Sequence, residues 1–190
     1  METAKARYQE LCHYARDKKV RVLIETCGLL SDSVKMAQFI AGADEETRGV
    51  LWDIQHPYRH CKETPKQTVA NLGKEIRYVH VKDSVVTENG ETEYRMMGLG
   101  DLPVFDAVRE LYRMGYDGYL TLEWLKRWRP ELKDPDISSI IPSDLYGNSA
   151  RRSGKWKIKK LRMIFSCGVF RNQRLIPQKA GQHTGKRSIK

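Results

Sequence analysis

Glu25, Asp53, His80 and Glu123 stand at or near the ends of four short apolar runs, VRVLIE, GVLWD, EIRYVHV and GYLTLE. Four metal-type ligands at equivalent places on four neighbouring strands can converge on one point. A single acid at one strand end is more often a helix N-cap or a solvated loop charge, so the weight lies on the recurrence. Three carboxylates brought together repel one another and raise each other's pKa unless a cation neutralises them. Oxygen donors with one imidazole suit Mn²⁺, Mg²⁺ or Co²⁺ better than a thiolate-type zinc site. His56, three residues past Asp53, lies in the following loop and can reach the same pocket. Lys82 and Asp83 follow His80 and stand where they can contact a substrate or the groups behind the ligands. For Lys82 a structural ion pair is the alternative.

Such residues need elements to carry them. Ala6, Leu11 and Ala15 recur among charges at helical spacing, which predicts a helix ending near residues 18–19. A strand is predicted over 20–25 and a helix over 33–41, with Ser31 or Asp32 as its N-cap. Further strands are predicted over 49–53, 75–81 and 118–123. Thr64-Pro65 starts a helix that Gly73 closes, and Pro103 opens another that runs to about residue 114. Between arms at 85–87 and 93–96, Glu88-Asn89-Gly90 is a hairpin-turn signal. Strand and helix thus alternate about every 30 residues, the pattern of parallel βα units with right-handed crossovers. Parallel-barrel enzymes place their reactive groups at the C-terminal ends of strands, where these four residues lie. A small open sheet of dinucleotide-binding type would want a glycine-rich phosphate turn after a strand, and Gly98-Leu99-Gly100 is not that fingerprint.

The segments VLIE (22–25), LWDIQHP (51–57), YVHVKD (78–83), GLGD (98–101) and LTLEW (120–124) together resemble the second half of the xylose isomerase-like barrel superfamily. This is the sugar phosphate isomerase/epimerase group, whose relatives include ketose 3-epimerases, inosose dehydratases and AP endonucleases of the endonuclease IV type. The resemblance covers residues 1–136 and implies an α/β fold, a partial (β/α)8 TIM barrel made of strands five to eight with their helices. It implies one divalent metal, commonly manganese, held by Glu25, Asp53, His80 and Glu123. It also implies that Glu25 and Glu123 act as an acid/base pair on opposite faces of a substrate carbon, with His56 on the substrate oxygens. The substrate would be a small sugar or cyclitol, altered by proton abstraction next to a carbonyl. Endonuclease-like members need an Asp-x-His pair after the third strand's His. Here Asp83-Ser84-Val85 and Glu93-Tyr94-Arg95 follow instead, so carbon chemistry on sugars is the preferred reading and DNA repair the lesser one.

The resemblance places the chain's start at the helix before the barrel's fifth strand. The expectation is a truncated barrel whose activity belongs to the complete fold, with a second copy or an N-terminal half-barrel covering its open edges. Residues 1–136 carry 21 Lys and Arg against 23 Asp and Glu, whereas 137–190 carry 13 against the single acid Asp144. The net charge of +10 therefore comes from the tail. A basic surface that steers nucleic acid is not a property of the first two-thirds. The tail is expected to be a basic, low-order segment. A nucleic-acid grip through residues 150–160 on a non-enzymatic half-barrel, and out-of-frame translation from about residue 137, are the other readings. With 40% hydrophobic residues and no apolar stretch near the roughly 20 that a spanning helix needs, a membrane-embedded protein is excluded. The first 19 residues hold no apolar run of signal-peptide kind and the four cysteines show no CxxC spacing, so the cytoplasm is the expected location.

Overall fold

The computed structural model describes residues 1–133 and the backbone of Arg162–Ser166. Four β-branched or leucine-rich runs become β1 (Val22–Glu25), β2 (Arg48–Asp53), β3 (Ile76–Val81) and, later in the chain, β6 (Tyr119–Glu123). They lie side by side in the order β1-β2-β3-β6, all parallel. Between them run α1 (Glu2–Asp17) before β1, α2 (Ser33–Ile40), α3 (Gln55–Cys61) and α4 (Pro65–Leu72), with α5 (Val104–Arg113) leading into β6. The expected α/β architecture of consecutive βα units is the one observed.

Local chemistry fixes the helix starts. Asp32 Oδ1 accepts the backbone N–H groups of Val34 and Lys35, each at 3.0 Å, and caps α2. Thr64 and Gln67 form a capping box at α4 with Pro65 in the first turn, where its missing N–H costs nothing. The segment carrying His56, expected to be a loop, is instead the first turn of α3, which ends at Lys62 in the left-handed region with φ 58°. Pro57 fits there because its place in the first turn needs no intrahelical N–H donor.

The strands are buried on one face by the helices. Val50, Trp52, Val79, Val81, Leu120 and Leu122 are all 2% exposed or less and pack in one cluster with Met36, Phe39 and Ile40 of α2, Leu72 of α4 and Ala107 and Leu111 of α5. Tyr8 of α1 joins it, its ring tilted against Phe39, while its hydroxyl donates to Val22 O and accepts from the Gly49 N–H. A hairpin leaves the end of β3: β4 (Asp83–Val86) and β5 (Thr92–Arg95) pair antiparallel, with Gly90 at φ +80° in the turn.

Within the segment expected to be a low-order tail, Arg162–Ser166 is a strand, β7. It pairs in parallel with β6, from Tyr119↔Arg162 to Glu123↔Ser166, and extends the sheet to five strands. The rest of that tail, including the basic stretch 150–160 and any nucleic-acid contact it makes, lies outside the described residues. Among the described residues no helix is long and apolar enough to cross a membrane.

Candidate metal centre

Strand register determines which side chains meet. Glu25 lies opposite Leu51, Asp53 opposite His80, and His80 opposite Thr121. Side chains two apart on a strand share a face, so Glu25, Asp53, His80 and Glu123 all fall on the face away from the helices. One ligand atom from each lies within 4.8 Å of the others. The sequence-read quartet is thus a single cluster built from the C-terminal ends of four adjacent strands.

Hydrogen bonds at the strand ends hold the quartet in place. Thr26 Oγ1 accepts the Asp53 N–H at 3.0 Å and donates to Asp53 O at 3.2 Å, which locks the end of β1 to the end of β2. Asp53 is fully buried, and its Oδ1 accepts the Gln55 N–H at 2.9 Å in the first turn of α3. Its Oδ2 has Lys82 Nζ at 2.6 Å and His56 Nε2 at 3.6 Å. Lys82 Nζ also lies 2.5 Å from Glu123 Oε2, and His80 Nδ1 lies 3.4 Å from Glu25 Oε1.

The electrostatics follow from that packing. Burial pushes the Asp53 carboxyl up, against the pull of the Lys82 ammonium and His56. Burial works against the Lys82 charge, but Asp53 and Glu123 outweigh it and hold the ammonium above its usual range. The His80 imidazole holds the Glu25 carboxyl below its usual range, and burial pushes His56 down, so that His56 is a neutral imidazole at neutral pH.

The donor set fits a hard divalent cation. It offers three carboxylates and one imidazole at a single point. Asp53 Oδ2 is taken up by the Lys82 ammonium, whereas His80 Nδ1 is buried with no well-formed hydrogen bond, its neighbour being Glu25 Oε1 at 3.4 Å, and buried polar atoms are seldom left so unless something else binds them.

Of the other residues read from the sequence, His56 and Lys82 reach the cluster. Lys82 does so as an ion pair, the alternative to substrate contact. Asp83 points elsewhere: its carboxylate accepts the N–H groups of Ser84, Gly98, Gly100 and Leu102 and so anchors the loop after the hairpin. The contacts that fix α3 left no sign in the sequence. Arg59, one turn along α3, donates to Ser84 O at 2.8 Å and pairs with Asp101, while Ser84 Oγ donates to Gln55 Oε1 at 2.9 Å. Gln55 and Arg59 are four apart and belong to one helical face, a signal that only a helix reading of this segment reveals.

Comparison with known proteins agrees with this fold. A family model described as xylose isomerase-like TIM barrel matches residues 1–141. Among solved structures, a xylose isomerase domain protein from Planctomyces limnophilus is similar over 65% of this chain and 46% of its own length, with 18% identity and a TM-score of 0.53. A D-psicose 3-epimerase, solved in the presence of D-fructose, is similar over 62% of this chain and 39% of its own, with 15% identity and a TM-score of 0.50. The chain therefore spans less than half the length of either structure. No curated protein matches it.

Proposed function

The chain belongs to the xylose isomerase-like TIM barrel family, and from that premise we propose that it is a metal-dependent isomerase or epimerase of small sugars or cyclitols, acting by proton transfer next to a carbonyl. The observation that carries this reading is the convergence of Glu25, Asp53, His80 and Glu123 within 4.8 Å of one another on the face away from the helices. These four residues would hold one divalent cation, manganese in this proposal. When bound, that cation supplies Lewis acidity, which lowers the cost of forming an enediolate.

The chain's own residues do the rest. Glu25 and Glu123 come from strands separated by β2 and β3, so they approach the site from two sides. One takes the proton from the substrate carbon and the other returns it, the division of labour an epimerisation needs. Glu25, kept ionised by His80, is in the protonation state a base starts from. His56 is neutral, so it can both donate to and accept from sugar hydroxyls. A second copy of the chain, or a separate N-terminal half-barrel, would complete the pocket over the same face.

The test is solvent exchange. Incubated with Mn²⁺ and a panel of ketoses in D₂O, the protein is expected to replace the hydrogen next to the carbonyl with deuterium, read by NMR. Glu123→Gln should abolish the exchange and chelation should suppress it. Absence of exchange across the panel in a protein that also takes up no manganese would overturn the proposal.

A further inference from the structure

The three carboxylates of the centre carry three negative charges, and a divalent cation leaves one of them unbalanced. Lys82 supplies the missing charge from within the chain. Its side chain is only 4% exposed, and its ammonium lies 2.6 Å from Asp53 Oδ2 and 2.5 Å from Glu123 Oε2. The Asp53 contact matters most. Oδ1 of that carboxylate is already committed to the Gln55 N–H, so Oδ2 is the oxygen left for a metal, and it is the one Lys82 holds.

On the reading that this cluster is a metal centre, we infer that Lys82 is a built-in counter-ion that competes with the divalent cation for Asp53 and Glu123 and sets how tightly the metal is held. Lys82 keeps the two carboxylates from repelling each other when no metal is bound. Metal entry must share or displace the ammonium. A charge so close to the ligands acts on affinity without itself being a ligand, and changes at residues supporting metal ligands typically alter affinity about 10- to 100-fold. The sign here is unusual, because deleting a supporting residue should tighten binding.

The experiment is a calorimetric titration of the full chain with Mn²⁺, paired with thermal unfolding in chelator and in saturating Mn²⁺. Lys82→Met keeps the length and the apolar stem and removes the charge. It should bind Mn²⁺ about tenfold tighter or more than the wild type. Its metal-free form should melt earlier, and the gap between metal-free and metal-loaded melting should widen. Lys82→Arg, which restores the charge, should return the weaker affinity, a rescue that loss of packing alone does not predict. If Lys82→Met folds only in Mn²⁺, that too is the expected direction, and Lys82→Gln then supplies the affinity comparison. Equal or weaker Mn²⁺ binding in both Lys82→Met and Lys82→Gln overturns the inference while leaving the metal centre standing. Failure of both variants to fold even in saturating Mn²⁺ overturns it as well. Absence of Mn²⁺ binding in the wild type and in every variant removes the metal centre along with it.

Discussion

His56 shows how one residue reports on the site. Burial holds its pKa below the ordinary histidine value, so the folded chain binds fewer protons there than the unfolded chain does. Its contribution to stability is therefore complete above about pH 6.5 and is lost as the pH falls through the lower, folded value. Denaturant midpoints of the metal-free protein between about pH 5 and 7.5 should fall on acidification, and His56→Asn should flatten that part of the profile. An unchanged profile in the variant would mean that His56 does not feel the burial around it. At this scale the sequence exposed the ligand types well. Glu25, Asp53, His80 and Glu123 stand out because each is a polar residue at or beside the end of an apolar run. The double ion pair of Lys82 could not be read that way, because Asp53 and Glu123 are distant in sequence and meet Lys82 only across the sheet.

Among the elements, β1, β2, β3 and β6 were legible from β-branched and leucine-rich runs, and α2 and α4 from their caps, whereas β7 was not foreseen. The segment of α3 was not, since seven residues with an internal proline and no apolar stripe carry no helical period. The same limit hid the job of Asp83. Its position after His80 suggested a substrate contact, yet its carboxylate gathers four backbone N–H groups that a linear reading cannot bring together. Gly100 belongs to the same device: a Cβ there would sit 2.0 Å from Asp83 Oδ1 and 2.5 Å from Ser84 O, so only glycine allows the loop to close on the carboxylate. Asp83→Ala leaves those donors without their charged acceptor and should cost about 2–4 kcal/mol of stability, read from denaturant midpoints. Mn²⁺ binding should survive the change, because Asp83 is not among the four clustered donors. Stability unchanged in Asp83→Ala would show that the loop does not depend on this anchor.

At the scale of the whole molecule, the centre joins what the covalent chain leaves separate. Glu25, Asp53, His80 and Glu123 come one each from β1, β2, β3 and β6, and each pair of neighbours among these four strands is connected through a helix rather than a tight turn. A ligand bound to all four strand ends binds the folded sheet and not the unfolded chain, in which the four donors are scattered. Its free energy of binding therefore adds to that of folding. At a free Mn²⁺ concentration one hundred times the dissociation constant, the gain is about 2.7 kcal/mol. For a chain of this length that raises the melting temperature by about 5–10 °C. Asp53→Asn should remove most of that shift, because it deletes the charge of the one fully buried member of the quartet while keeping its shape. Magnesium, which sheds its water reluctantly and prefers octahedral oxygen sites, should give a smaller shift than manganese at the same concentration. A melting temperature indifferent to both ions would show that the four strand ends come together without a cation, held by the strand ladder, the Thr26 hydrogen bonds, the Lys82 ion pairs and the apolar face beneath the helices.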